Sequence, residues 1–252
     1  IDFCGQPLLL HQLNLLKTHG YKEVLILACY QSEKISDFIE SLNNFDMNIE
    51  IIEESEPLGT AGALLASFSK LESTFLVIYG DTMLDINLQR FYEFHRNIET
   101  DLSLFIHPND HPYDSDLVEI DERNRIINFH TYPHDSEKYH RNLVNAALYI
   151  INRDCLADHA KQKIGFSDFG KDLFPQLLKS GIKISGYNSP EYIKDCGTPD
   201  RLDQAIKDFK TGRIKYSNLD MPQSAIFLDR DGTLNKEVGH LSNAEDLELI
   251  KG

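Results

Sequence analysis

Phe75-Leu76-Val77-Ile78-Tyr79-Gly80-Asp81 decides the fold. Five apolar residues ended by glycine and a carboxylate read as a buried strand whose last residue can carry chemistry. Just upstream, Glu56-Pro57-Leu58-Gly59-Thr60-Ala61-Gly62-Ala63-Leu64 places two glycines three apart, and the apolar spacing predicts a helix over 63–71. Working toward the N-terminus, 49–52 and 24–28 are short apolar strands, and 35–42 and 8–16 are amphipathic helices. The first of these helices has Pro7 where a helix can begin and Gly20 where it can stop. Helix and strand alternate. Such alternation predicts an α/β fold with a largely parallel sheet covered by helices on both faces.

Toward the C-terminus the pattern changes. Residues 102–106, 117–120 and 126–129 read as strands, with a turn over 121–124, which makes a hairpin-bearing insert. A strand over 143–151, a helix over 169–178, a strand over 182–187 and a helix over 200–209 follow. The first domain is expected over 1–212. Residues 213–223, with Tyr216, Ser217, Asn218 and Pro222 and little apolar pattern, read as a linker, and 224–252 as the start of a second α/β domain.

The chain has 252 residues, 41% hydrophobic and 26% charged, with a formal net charge of −15. That describes a globular chain with a proper core, and the acidic balance argues against nucleic acid and anionic membrane as partners. An anionic substrate would need local cations or a metal. Cys4, Cys29, Cys155 and Cys196 are isolated, so zinc knots and disulfide frameworks are not indicated, and reduced thiols in the cytoplasm fit. No apolar run reaches the length of a membrane span.

Gly59 and Gly62 let backbone approach a ligand, and the amides opening the following helix would favour an anion or the hydrogen-bonding edge of a base. The stretch is neither the dinucleotide fingerprint nor a Walker loop. Asp81 ends one strand, and Asp195, in Asp195-Cys196-Gly197-Thr198-Pro199, ends another. Two carboxylates brought together from distant positions make a hard-oxygen site for Mg²⁺ and substrate phosphates. Separately, Asp81 also reads as a loop cap and Asp195 as an ordinary turn acid. His107 and His111 are four apart, but Pro108 and Pro112 argue against a helix there, so 107–115 reads as a rigid loop rather than a metal site. Leu88, Phe91, Tyr92 and Phe94 have the spacing of core packing.

The order Gly5-Gln6-Pro7-Leu8-Leu9, Leu58 to Leu64, Gly80-Asp81, Asn145 to Tyr149 and Asp195 to Pro199 resembles the sugar-1-phosphate nucleotidyltransferases. The resemblance implies a Rossmann-like domain. It implies that Leu58, Gly59, Thr60, Ala61, Gly62 and Gly80 bind nucleotide, that Asn145 contacts the sugar, and that Asp81 and Asp195 hold Mg²⁺. A sugar phosphate oxygen would attack the nucleotide α-phosphorus and release pyrophosphate. The chain departs from the family pattern at Ala147, where many members carry glycine, and at His130-Thr131-Tyr132-Pro133, where many carry Phe-x-Glu-Lys-Pro. The family's glycine-rich loop and first strand would precede Gly5, so this stretch is expected to be a fragment at both ends and inactive by itself.

A second pattern lies near the C-terminus. Ala225-Ile226-Phe227-Leu228 reads as a buried strand running into Asp229-Arg230-Asp231-Gly232-Thr233-Leu234-Asn235. Asp229 at the strand's end could attack phosphorus while Asp231 handles the leaving group's proton. The bare Asp-Arg-Asp-Gly also reads as a solvated turn. Phe227 to Asn235 resembles the first motif of the haloacid-dehalogenase phosphatases, in their histidinol-phosphate and heptose-bisphosphate branch. That resemblance implies catalysis by Asp229 and Asp231 with Mg²⁺, and some members carry a structural zinc loop that would fall after Gly252.

Together the two resemblances imply a fused enzyme that dephosphorylates heptose 1,7-bisphosphate and transfers a nucleotidyl group, GTP favoured, to heptose 1-phosphate for surface polysaccharide. Transfer to mannose or glucose 1-phosphate is the alternative. A non-catalytic sugar-nucleotide-binding remnant is another. The oligomeric state is left open.

Overall fold

The computed structural model describes residues 1–42, 45–134, 138–162, 164–222 and 224–251. It divides into two units, 1–220 and 221–252.

In the first unit a short hairpin, β1 (Asp2–Phe3) and β2 (Gln6–Pro7), leads into α1 (Leu8–Thr18). Pro7 precedes the helix, where a missing N–H costs nothing. Next come β3 (Glu23–Ala28), α2 (Ser32–Ser41) and β4 (Asn48–Glu53), the two strands pairing in parallel. Then α3 (Gly59–Ala66), β5 (Thr74–Ile78), β6 (Thr82–Asp85), α4 (Leu88–Asn97) and β7 (Leu102–His107) bring the chain into the central sheet. The insert is β8 (Leu117–Ile120) and β9 (Ile126–His130), followed by the long β10 (Val144–Asn152). After α5 (Ala157–Ala160), a wide helical turn over Phe169–Leu173 continues into α6 (Phe174–Lys179). The unit ends with β11 (Ile184–Asn188), β12 (Tyr192–Asp195), α7 (Pro199–Lys210) and α8 (Arg213–Ser217).

The central sheet has six strands, in the order β11-β7-β10-β8-β9 with β5 on the other edge of β10. Strands β5 and β7 both run against β10, and β11 runs parallel to β7. Thus β5, β7 and β11 share one direction and β10 is the exception between them. The core on one side of the sheet gathers Leu102, Leu104, Tyr149, Ile151, Phe169 and Phe174, and the other gathers Phe91, Phe105, Leu148 and Ile150. Alternate residues of β7 and β10 thus serve opposite faces, as a strand buried on both sides requires. Phe91 and Phe105 meet edge to face at 5.9 Å, which confirms the packing role read for Leu88 and Phe91, whereas Tyr92, read as core from the same spacing, is 37% exposed.

Two expectations are corrected. The stretch 213–223, of which Gln223 lies outside the described residues, is not simply a linker: α8 starts at Arg213, Ile214 is buried, and the next residues are tied down by hydrogen bonds. Asn218 donates to Asp85 at 2.7 Å, and the Leu219 N–H to buried Glu191 at 3.1 Å. The reading failed because these ties use polar atoms, which leave no apolar periodicity.

Residues 225–228 form no strand, and Ile226, Phe227 and Leu228 are 82%, 96% and 61% exposed. A central strand draws its hydrogen bonds and burial from neighbours on both sides. Among the described residues of the second unit, pairing is limited to single bridges from Asn235 to Asp231 and Leu249.

Candidate active site

Asp81 sits in a tight turn between β5 and β6, where the Thr82 N–H bonds the Tyr79 carbonyl at 3.2 Å. Buried Gln12 of α1 clamps that turn, its amide donating to the Tyr79 and Thr82 carbonyls at 2.9 and 2.7 Å. A polar residue inside the Leu9-Leu13-Leu16 stripe was the only sequence signal for this role. Asp195 ends β12, which pairs antiparallel with β6 so that Asp195 lies opposite Thr82. The Cys196 N–H closes the junction on the Asp81 carbonyl at 2.7 Å.

The two carboxylates converge on Gly197. A Cβ there would stand 2.9 Å from Asp195 Oδ1 and 3.3 Å from Asp81 Oδ2, so only glycine leaves both carboxylates in place, and the Gly197 N–H donates to Asp195 Oδ1. Burial, and then the neighbouring Asp195, raise the pKa of Asp81. Asp195 is partly balanced by Arg201, whose Nη1 donates to Oδ2 at 2.7 Å. Among the described residues no group of three or more His, Cys, Asp or Glu could hold a metal. Mg²⁺ does not require one, since it is commonly bound by one or two carboxylates with waters and substrate phosphates. Two neighbouring carboxylates, one of them with a raised pKa, fit such an ion.

A cleft of about 640 Å³ opens beside this pair, lined among others by Tyr79, Asp81, His107, Asn145, Lys194 and Asp195. Asn145 enters it from β10, whose pairing with β7 shifts register between Asn145 and Tyr149. Ala147 takes a left-handed φ of 58° inside that irregularity, which is the reason a glycine is favoured there. Behind the cleft runs a chain of polar groups. Thr60 donates to Asp168 at 3.0 Å and accepts from the Phe169 N–H at 3.1 Å, while the Tyr79 hydroxyl bonds both Thr60 and Tyr149, and Tyr149 bonds Asn145. Burial pushes the Tyr79 phenol up to about 12. The structure therefore links the 58–62 stretch to Asn145 through buried hydroxyls.

The glycines of that stretch have a different neighbour from the one expected. Residues from Gly59 onward form the first turns of α3, earlier than the helix read from 63. A Cβ on Gly59 would meet the Ser167 carbonyl oxygen at 2.5 Å, and one on Gly62 the Gly165 carbonyl oxygen at 2.5 Å. The Ala61 and Gly62 N–H groups both donate to Ser167 at 2.9 and 3.2 Å. Close approach and helix-start amides are real, but at Ala61 and Gly62 they serve the chain's own 165–167 segment. Gly80, by contrast, is exposed beside Asp81, with open space around it.

Asp229 and Asp231 lie in the other unit and are described by themselves. The Arg230 side chain pairs with Asp231 at 2.8 Å, and Asn235 Nδ2 donates to it at 3.1 Å. The Arg230 hydrogen bond lowers the Asp231 pKa. Thr233 reaches Asp229 at 3.5 Å. His107, at the end of β7, is pushed down to about 4 by burial and then by Lys194, and His111 bonds Asp114 at 2.8 Å.

An α/β fold that brings together a carboxylate in the turn after β5 and one at the end of β12, beside a polar cleft, suits the handling of phosphoryl and nucleotidyl groups. Residues 1–212 match the family model described as nucleotidyl transferase, and the chain belongs to that family. It is 28% identical over 230 residues to the mannose-1-phosphate guanylyltransferase catalytic subunit beta of Drosophila pseudoobscura pseudoobscura, covering 89% of this chain and 58% of that protein. It is 29% identical over 222 residues to mannose-1-phosphate guanylyltransferase 1 of Arabidopsis thaliana, covering 86% and 58%. The chain thus spans 58% of the length of these curated relatives. In fold it is similar to HddC from Yersinia pseudotuberculosis, solved complexed with GMP-PN, with a TM-score of 0.69 and 23% identity over 83% of this chain and 88% of that one.

Proposed function

We propose that this protein transfers a guanylyl group from GTP to a sugar 1-phosphate and releases pyrophosphate. The observation that carries the reading is the meeting of Asp81 and Asp195 at Gly197, in the cleft that Asn145 also lines. Asp81 and Asp195 would hold Mg²⁺, which when bound neutralises charge on the phosphates and polarises the phosphorus. Leu58, Gly59, Thr60 and Gly80 would border the nucleotide, with buried Ala61 and Gly62 holding that stretch to the 165–167 segment, and Asn145 orients the sugar. The Asp168-Thr60-Tyr79-Tyr149 chain keeps the two sides in register, so that positioning supplies much of the rate. Free cysteines fit a reducing, cytoplasmic setting.

The guanine base is supported by the names of the two guanylyltransferase relatives. The heptose acceptor is supported by the Phe227 to Asn235 motif; the second activity we propose is an aspartyl-phosphate phosphatase with Asp229 as nucleophile and Asp231 as acid/base, both of which would hold Mg²⁺ that offsets phosphate charge. A mannose 1-phosphate acceptor is the competing reading, favoured by the same relatives. The test is pyrophosphate release by the full-length protein with Mg²⁺, each nucleoside triphosphate, and heptose, mannose or glucose 1-phosphate. Selective turnover with GTP is expected, and binding of nucleotide without any release across the panel would refute transfer.

A further inference from the structure

The cleft is strongly acidic, yet an attacking sugar phosphate and a nucleotide polyphosphate are both anions. Bringing them together in line needs positive charge from the protein besides a metal. Among the described residues lining the cleft, the cations are Lys194, Arg201 and Arg213. Arg201 is committed to Asp195 at 2.7 Å, with Asp114 at 3.7 Å. Arg213 is 67% exposed and faces buried Asp208 at 3.5 Å. His107 is neutral near pH 7 because its proton is lost at about 4.

Lys194 differs from all of these. Its side chain is only 16% exposed, at a strand position next to Asp195. Its carboxylate partner is Asp110, itself 70% exposed, at 3.3 and 3.4 Å from the two oxygens. Asp110 sits on the 107–115 loop at the cleft wall. Among the described residues this largely covered ammonium is paired with an exposed loop carboxylate, a partner that an entering anion can compete with. A phosphate entering the cleft can displace Asp110 and supply a closer, doubly charged partner.

We infer that Lys194 binds the phosphate of the sugar 1-phosphate, and that Asp110 occupies the same ammonium while the site waits for substrate. The inference rests on the transfer reading above and goes beyond it in assigning the acceptor phosphate to a particular side chain. Asp195 and Lys194, adjacent on β12, then divide the work: the carboxylate lies with Asp81 beside Gly197 and the ammonium serves the acceptor.

The test is steady-state kinetics on the full-length protein. Lys194→Met is expected to raise KM for the sugar phosphate about 10- to 100-fold, the loss of one charge-assisted hydrogen bond, with KM for the nucleoside triphosphate nearly unchanged. Lys194→Arg should recover part of that loss, and Asp110→Asn should lower the sugar phosphate KM by freeing the ammonium. A merely structural Lys194 would move both KM values together, or lower thermal stability without splitting them, and either result overturns the inference. Calorimetric titration with mannose 1-phosphate separates the two proposals. If wild type binds the sugar phosphate but releases no pyrophosphate, transfer fails while Lys194 is still judged by the loss of binding in Lys194→Met. Equal binding by wild type and Lys194→Met, or no binding by either, refutes the assignment.

Discussion

Two acidic motifs in this chain end differently. Asp81 and Asp195 come from strands more than a hundred residues apart, and β6, β12, Gln12 and the Cys196 amide bring them to one glycine. Asp229 and Asp231 are separated by a single residue and lie on exposed chain beside the 232–234 turn. The fold raises Asp81 by burial and by a second carboxylate, whereas Arg230 lowers Asp231 from the next position in the chain. Each pair has one arginine on one member, Arg201 on Asp195 and Arg230 on Asp231, so the difference is burial: Asp81 is held partly out of water beside a second carboxylate, where a cation can relieve it, while Asp231 is met by its arginine in the open. Proximity in sequence therefore says little about a metal site, and tertiary convergence with burial says much more.

The largest expected effect tests that contrast directly. Asp81→Asn or Asp195→Asn should cut Mg²⁺-dependent nucleotidyl transfer by roughly 10²- to 10³-fold, the scale of losing one group that stabilises transition-state charge. Asp229→Asn should leave pyrophosphate release unchanged while removing any phosphatase activity. Equal loss of transfer from the Asp229 change would collapse the distinction between the motifs.

Glycines sharpen the same comparison through stability. Gly62 has backbone oxygen 2.5 Å from where a Cβ would go, and Gly232 has nothing within 4 Å although its φ is +74°. Gly62→Ala should therefore destabilise by about 1–3 kcal/mol through overpacking against a backbone that cannot move aside. Gly232→Ala meets only backbone strain, roughly 1–2 kcal/mol and local to its own turn. Chemical denaturation of both variants decides the matter. A Gly62→Ala protein as stable as wild type would show that the 165–167 segment yields easily.

Much of the first unit was legible because its strands are short apolar runs and its helices carry apolar stripes. Residues 24–28, 49–52 and 102–106 all fall within observed strands. What escaped notice has physical reasons. The strand β6 holds Thr82 and Asp85 among its four residues, so its pattern is too brief to register. Helix α3 begins at Gly59 despite two poor helix formers, because backbone contacts with 165–167 override propensity. Gln12 and the hydroxyl chain through Tyr149 act by hydrogen bonds between distant positions, which no local period records. Residues 225–228 failed in the opposite sense: an apolar run specifies a buried strand only where neighbours cover it.

The smallest expected effect concerns the same carboxyl pair. Because burial and Asp195 raise the Asp81 pKa, the folded protein keeps that proton at pH values where the unfolded chain has already released it. The group's contribution to stability is therefore most favourable in acid. It falls as pH rises from the ordinary carboxylate value through the folded one, and its penalty is constant above. Metal bound between the carboxylates needs both ionised, so added Mg²⁺ should raise Tm at neutral pH and lose that effect as the solution is acidified through the Asp81 transition. Asp81→Asn without metal should be slightly more stable than wild type at neutral pH and should lose the Mg²⁺ response. A Mg²⁺-induced rise in Tm that persists in Asp81→Asn would place the ion elsewhere, and the partly buried Asp81 carboxylate would then be a cost the fold bears without a metal to relieve it.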